Sequence, residues 1–394
     1  MVHSSSPGTG LSDGAPTVGG DNESLAPKAI IDWLNGRVKG YTERDGDKEV
    51  KAYWSTGKVG MTGTSYNGTI PLAAATTGVE GLEAIIPIAP NTSYYHYYRS
   101  NGLVRSPGGY LGEDIDVLYD FIHSGDESKR ARNNRVVRDT EMKNGQDRIT
   151  GDYIYKKAKE MGLPVQIFYH QNGHGGPPPI SMMNRWFTRY LYGVENGVES
   201  ESKAWIVREN DKKDNPTPYA DYPNPDAKDI QLYLSAGAPA QGKLTTSKPK
   251  KQGTETLVDN YSFSGPSLAK AETTEHRLLY TTAPLKEDVH ISGVPKIKIK
   301  LASSKPAANL SVWLVSLPWT EALNTKITDN IITRGWADPQ NHSSLTESEP
   351  LVPNNFYEIE FELMPDDQII PKGQQIGLMI FSSDKEFTLW PEPG

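Results

Sequence analysis

Gly57-Lys58-Val59-Gly60-Met61-Thr62-Gly63-Thr64-Ser65-Tyr66-Asn67-Gly68 decides how the first half of the chain reads. The run starts as a short apolar strand and turns through Gly-x-Ser. It then passes into the small residues of a helix predicted over Thr69 to Thr77, stopped by Gly78. Strand, sharp turn with serine, and helix make the context of a nucleophile elbow, where the serine is held at a strained backbone angle. Strand and helix touch in such a turn, so the residues around the serine must be small. Gly63, Gly68 and the alanines 73–75 meet that demand. The common Gly-x-Ser-x-Gly spacing is broken at Asn67, and the glycine falls one place later. A glycine-rich turn with an idle serine is the bland alternative; the flanking elements favour the nucleophile. Ser65 is the candidate nucleophile, and the backbone N–H of Tyr66 the candidate oxyanion-hole donor.

Upstream of this run, residues 24–36 predict a helix with Ser24 as its cap, Pro27 in its first turn, and Ala26, Ile30, Trp33 and Leu34 on one face. Downstream, Ala84-Ile85-Ile86-Pro87-Ile88-Ala89 is a continuous apolar run, as in a parallel strand covered on both faces. Alternating strands and helices signal an α/β layer. Residues 91–150 change character, with Tyr94, Tyr95, Tyr97, Tyr98 and Tyr110 and the basic cluster Lys129-Arg130-Ala131-Arg132, and read as an insertion over the sheet's edge. The α/β pattern returns with a helix over Tyr155–Met161 and a strand over Val165–Tyr169. Next comes an amphipathic helix presenting Met183, Trp186, Phe187, Tyr190 and Leu191.

Near residue 200 the period changes to short strands: Trp205–Val207, Ile230–Leu234, Lys296–Leu301, Leu310–Val315, Tyr357–Leu363 and Ile376–Phe381. Lys296-Ile297-Lys298-Ile299-Lys300 alternates polar and apolar residues, the pattern of a half-exposed strand. Many short strands separated by turns predict a β-sandwich or jelly roll. The lysine-rich segment Gln241 to Gly253 reads as an exposed loop. The expected architecture is α/β: a domain over 1–200 with an insertion at about 91–150, followed by an all-β jelly-roll sandwich over 201–394.

Composition narrows the functions. The chain has 394 residues, enough for two domains. Lys+Arg 41 against Asp+Glu 49 leaves a net charge of -8, the wrong sign for a phosphate-neutralising surface, so no nucleic-acid partner is expected. No run approaches the ~18–20 apolar residues of a membrane span, so no membrane partner is expected either. Cys is 0, which removes disulfides, thiolate nucleophiles and cysteine–zinc sites. It also weakly favours an extracytoplasmic place of action. The first residues lack the charged-then-apolar start of a signal peptide, and both ends have the composition expected of a piece of a longer protein. A homo-oligomer is compatible with the sequence. No cofactor is expected.

A nucleophilic serine needs a base. Of the eight histidines, His174 stands out, in Gln171-Asn172-Gly173-His174-Gly175-Gly176-Pro177 after the strand at 165–169. In α/β-hydrolases the triad histidine comes last, on a loop after the final strand. The glycines let that loop fold back towards the serine. His170 and His174 share the spacing of a helical zinc pair, but strand-end and glycine context argue against metal, and none is expected. The triad acid belongs on a loop after the preceding strand, and the sequence does not supply it. Asp147 and Asp152 are the nearest upstream acids; Asp152 is the candidate substitute, against the better reading of an ordinary solvated carboxylate.

Three stretches together resemble the Xaa-Pro dipeptidyl-peptidases: Ser6-Pro7-Gly8-Thr9-Gly10-Leu11-Ser12-Asp13-Gly14, Gly63-Thr64-Ser65-Tyr66-Asn67-Gly68 and Gly173-His174-Gly175-Gly176. These are serine peptidases related to cocaine esterase and the α-amino-acid ester hydrolases. The resemblance extends over nearly the whole chain, including Arg277-Leu278-Leu279-Tyr280-Thr281-Thr282. It implies an α/β-hydrolase domain with a helical cap and a jelly roll behind it, with the nucleophile on Ser65 and the base on His174. The chain departs from the family after Gly151-Asp152-Tyr153, where the acid-bearing strand is skipped. The family's early segment, with the tyrosine that completes the oxyanion hole, is expected before residue 1.

The resemblance implies peptide substrates with proline at the second position. Such substrates need an apolar pocket for the proline ring, for which Tyr94 and Tyr95 are candidates. They also need an acidic site for the free ammonium, for which Glu113 and Asp114 are candidates. Packing of the cap by the tyrosines, and capping of a helix over Ile115 to Ile122 by the acids, is the alternative. The expected function is a serine exopeptidase. An acyl-ester hydrolase of the cocaine esterase type, or an inactive binding-only relative, stands as the other reading.

Overall fold

The computed structural model describes residues 1–15, 17, 19–105, 140–170, 174–208, 215–251, 253–320 and 330–389, with the backbone alone described over 140–147. In chain order its first elements are α1 (Asp21–Leu34), β1 (Gly40–Tyr41), β2 (Glu49–Val50), β3 (Val59–Thr64), α2 (Tyr66–Thr76), β4 (Leu82–Ile88), α3 (Tyr94–Tyr98), β5 (Arg99–Ser100) and β6 (Leu103–Val104). Then come α4 (Thr140–Glu160), β7 (Ile167–His170), α5 (Ile180–Tyr192), β8 (Ala204–Val207), β9 (Thr217–Tyr219), β10 (Tyr233–Ser235), β11 (Gly242–Thr245) and α6 (Gly265–Lys270). The chain finishes with β12 (Leu278–Thr281), β13 (Val289–Gly293), β14 (Lys296–Leu301), β15 (Leu310–Leu317), β16 (Ile331–Ala337), β17 (Tyr357–Glu362), β18 (Asp366–Ile370) and β19 (Gln375–Phe381). It divides into two compact units: Met1–Thr92, Ala158–Pro164 and His174–Glu201 form the first; Ser93–Lys157, Val165–Gly173 and Ser202–Gly394 form the second.

In the first unit β3 and β4 pair in parallel, Met61 beside Ile85 and Thr64 beside Ile88. Val59 and Met61 point to one face of the pair, where Ile31 of α1 and Ala74 of α2 cover them. Gly60 points to the other face and meets α5. A Cβ there would lie 2.6 Å from Phe187 Cε1 and 3.0 Å from Leu191 Cδ1, so glycine lets the helix rest on the strand. Helices on both faces account for the unbroken apolar run of β4.

Two boundaries differ from expectation. α1 starts at Asp21 behind Gly20, so Pro27 lies inside the helix and Ser24 is not its cap. Glu23 explains the shift: at the third helical position its carboxylate accepts from the backbone N–H of Gly20, the return half of a capping box. α2 starts at Tyr66, ahead of the expected Thr69, because a single residue suffices for the turn.

The second unit is built on a six-stranded sheet in the order β10-β11-β12-β19-β15-β16. Leu278, Tyr280, Val312, Leu378 and Ile380 project to one face and pack against Ile297, Ile359 and Phe361 of the β14–β17 pair. Leu279, Trp313, Val315, Met379 and Phe381 project to the opposite face and pack against Leu268 and Ala269 of α6. β14 and β17 keep the alternation of half-exposed strands, with Lys296–Glu362 and Lys298–Glu358 ion pairs at 3.1 and 2.7 Å on the wet side. This two-layered all-β arrangement is consistent with the expected jelly roll. The expected loop at 241–253 instead contains β11: Gly242 and Leu244 turn inward, and a Cβ on Gly242 would lie 2.5 Å from Tyr280 Cδ1. In the same unit β7 and β8 pair in parallel over a core of Tyr155, Ile167, Tyr169, Ala204, Ile206 and Tyr222. Among the described residues no helix is long and apolar enough to cross a membrane.

Two buried charges fix loops and strands of this unit. Arg277 is 0% exposed and donates to the carbonyl oxygens of Leu268, Ala238, Pro239, Ala240 and Ala271. Asp384, also 0% exposed, accepts from Trp313 Nε1 and Trp336 Nε1, each at 3.0 Å. Burial pushes its carboxyl up to about 6 against the lowering pull of Trp336, Arg334 and Trp313.

Arg277→Met strands several buried carbonyls and is expected to destabilise the protein by at least about 3 kcal/mol in urea unfolding. Asp384 holds a proton more tightly folded than unfolded. Its contribution is therefore full below the unfolded carboxyl range and is lost as pH rises through about 6. Asp384→Asn removes that limb. Compared with wild type across pH 3–8, it is expected to gain on the order of 2–3 kcal/mol towards the neutral end.

Candidate active site

β3 ends at Thr64 and α2 begins at Tyr66, so Ser65 alone makes the turn, at φ 65 and ψ -125. Such a φ is rare outside glycine and costs about 1–3 kcal/mol unless its surroundings impose it. Here they do. The Ser65 N–H donates to Ile88 O at 2.9 Å, and Ser65 O accepts from the N–H groups of Gly68 and Thr69 at 2.9 and 3.0 Å. The Thr69 hydroxyl donates to Ser65 O at 3.3 Å while accepting from Asn91 N at 2.9 Å.

Close approach fixes the glycines. A Cβ on Gly63 would stand 2.3 Å from Asn67 O, and one on Gly68 2.5 Å from Ile88 O. The helix thus crosses the end of β4 at residue 68, which explains why the glycine sits one place later than the usual spacing. Tyr66 opens α2, with its N–H at the helix's amino-terminal end. Its hydroxyl donates to Glu23 Oε1 at 2.8 Å.

His174 is exposed, and the loop behind it turns through Gly175 and Gly176 at φ 90 and 78. A Cβ on Gly175 would lie 3.4 Å from Thr64 Cγ2, so this loop runs against the residue preceding Ser65. Ser65, Tyr66 and the His174 loop are therefore gathered in the first unit. Tyr94 and Tyr95 belong to α3 in the second unit. The Tyr95 hydroxyl accepts from Gly102 N at 2.8 Å and donates to Leu345 O at 2.6 Å, and the Tyr94 ring stands 6.4 Å from that of Tyr97. Glu113, Asp114, the helix expected at 115–122 and most of the insertion at 91–150 lie outside the described residues. Among the described residues no group of metal-binding side chains forms.

Asp152 is not the solvated carboxylate expected. It is 7% exposed within α4, and Lys156 Nζ donates to its Oδ2 at 2.7 Å. Burial raises its carboxyl above the usual range, with Lys156 pulling the other way. The helical i, i+4 spacing to Lys156 was the available signal. Glu23 and Asn91 carried none that pointed to the site: they act through fold contacts between separate elements.

A serine at a strained turn between parallel strand and helix is the arrangement of serine hydrolases. Comparison with known proteins sharpens that class. Residues 1–166 match the family described as X-Pro dipeptidyl-peptidase (S15 family), and residues 196–394 match the X-Pro dipeptidyl-peptidase C-terminal non-catalytic domain. A relative from Rhodopirellula baltica that carries the Xaa-Pro dipeptidyl-peptidase name is 63% identical over 433 residues, covering 100% of this chain and 69% of that protein. The Xaa-Pro dipeptidyl-peptidase of Ligilactobacillus salivarius is 30% identical over 481 residues, covering 99% of this chain and 59% of that protein. An α-amino acid ester hydrolase structure superposes with TM-score 0.66 at 14% identity, covering 98% of this chain and 79% of that one. The chain belongs to the Xaa-Pro dipeptidyl-peptidase family of serine hydrolases, with an α/β-hydrolase fold followed by an all-β domain.

Gly68→Ala sets a methyl group against two backbone carbonyls, Ile88 O and Gly63 O at 2.5 and 2.8 Å. It is expected to cost about 1–3 kcal/mol in thermal or urea unfolding. Gly253→Ala, where nothing lies within 4 Å, is expected to change stability by less than about 0.5 kcal/mol.

Proposed function

We propose that the chain is a serine exopeptidase releasing Xaa-Pro dipeptides from peptide amino termini, with Ser65 as nucleophile and His174 as base. The observation that carries this reading is the backbone of Ser65, a non-glycine residue at φ 65 between β3 and α2. Ser65 Oγ attacks the carbonyl carbon after proline while His174 takes its proton. The Tyr66 N–H donates to the oxyanion of the tetrahedral intermediate. Collapse expels the amine leaving group, protonated by His174, and leaves an Xaa-Pro acyl-enzyme on Ser65 that water then hydrolyses. Tyr94 and Tyr95 would wall the proline ring, and Glu113 and Asp114 would hold the free ammonium. The Xaa-Pro dipeptidyl-peptidase names of the relatives support the substrate class.

A second reading, an inactive binding-only relative, is favoured by one specific observation. α4 runs to Glu160, β7 begins at Ile167, and residues 161–166 contain no Asp or Glu. The strand before the histidine's own strand, with a carboxylate after it, is not found there. The aligned stretch of 433 residues also exceeds this chain's 394, so the Rhodopirellula baltica relative has internal segments without a counterpart here. Disabling a triad aspartate costs about 10⁴ in rate.

Hydrolysis of a glycyl-prolyl chromogenic amide, with Ser65→Ala as control, tests both readings. The peptidase reading expects turnover that the substitution abolishes. Turnover surviving in Ser65→Ala overturns the nucleophile assignment, and none from folded wild type selects the inactive relative.

A further inference from the structure

Glu23 belongs to α1, distant in sequence from the elbow, yet its carboxylate reaches it. The side chain is 6% exposed. Its Oε2 accepts from Thr17 Oγ1 at 2.6 Å, and its Oε1 accepts from the Tyr66 hydroxyl at 2.8 Å. The backbone N–H of Gly20 also donates to the carboxylate. Burial alone would raise this carboxyl, but the hydrogen bonds from Thr17, Tyr66 and the backbone outweigh it and hold the group below the usual glutamate range. An ionised carboxylate, fixed at the start of one helix, therefore grips the side chain of the first residue of another.

That residue follows the nucleophile directly. Tyr66 carries two functions on one Cα: its N–H is the proposed oxyanion donor and its phenol is the anchor. Rotation of the peptide between Ser65 and Tyr66 would swing both the N–H and the serine. Ser65 O is already fixed by Gly68 N, Thr69 N and Thr69 Oγ1, so the Glu23 contact supplies a restraint on the far side of the same peptide. A donor must be oriented before charge develops if it is to stabilise the transition state without reorganisation.

We propose that Glu23 is a positioning residue for the oxyanion hole, acting through the Tyr66 hydroxyl to fix the peptide between Ser65 and Tyr66. This rests on the reading of Ser65 and Tyr66 given above. A plain capping role for Glu23 would stabilise α1 and leave the reactivity of Ser65 untouched.

The two are separated by titrating wild type, Tyr66→Phe, Glu23→Gln and the double variant with a fluorophosphonate, well below each variant's melting temperature. Ser65 Oγ bonds to phosphorus as fluoride leaves. Tyr66→Phe leaves the α1 cap intact and removes the link to Glu23. It is expected to lower the maximal inactivation rate about tenfold with the half-saturating concentration unchanged. Glu23→Gln, which retains an acceptor oxygen, is expected to keep part of the rate, and the double variant to be no slower than Tyr66→Phe. Wild-type reactivity in Tyr66→Phe, or losses that multiply in the double variant, overturns the positioning role while Ser65 stands. Folded wild type that fails to label overturns the Ser65 reading and this role with it.

Discussion

The backbone crossing between α2 and the end of β4 is the constraint on which the first unit depends. Gly68 lies within van der Waals reach of Ile88 O, and Ser65 N–H donates to that same carbonyl. A larger residue at 68 would lift the helix from the strand and remove the hydrogen bond that holds Ser65 at its positive φ. The strain of that turn is small beside the set of contacts that impose it. Three donors on Ser65 O, the Ile88 carbonyl and the Asn91–Thr69 link all oppose relaxation towards an ordinary backbone angle.

The surrounding elements can be read as supports of that crossing. α1 covers Val59 and Met61 and reaches the turn through Glu23; α5 presses Phe187 and Leu191 on Gly60 from the opposite face. Each support uses a different interaction: apolar burial, a charge-assisted hydrogen bond, and a close approach that only glycine permits. Their combined effect is to present a serine side chain at a fixed angle. That is the property a nucleophile elbow supplies to acyl-transfer chemistry.

The β unit solves a different problem. Its central sheet is covered on both faces, so apolar burial alone leaves the loops around it undirected. Buried charge gives them direction. Arg277 gathers carbonyls from two loops onto β12, and Asp384 joins the indoles of β15 and β16. Removing either partner of such an arrangement leaves polar groups dry, which is why single buried charges can dominate local stability.

Much of this was legible in the sequence because it depends on local rules. The elbow followed from strand, Gly-x-Ser and small-residue helix in succession. The all-β character of the second half followed from its short strands separated by turns. β14 could be placed to the residue because one of its faces is wet, and alternation survives only where that is so. β11 escaped notice because Gly242 contributes no apolar side chain to the pattern, although its inward position is set by Tyr280. Asp152 looked solvated for the same reason: burial of a carboxylate is decided by what packs over it. The sequence by itself determined which residues can turn, alternate and approach closely, since those properties belong to each residue's own backbone and size. Only the tertiary structure decided that Glu23 grips Tyr66, that Asn91 meets Thr69, and that Arg277 finds the carbonyls of Ala238, Pro239 and Ala240. Those contacts join residues far apart along the chain, and no periodicity or spacing encodes a pair brought together solely by folding.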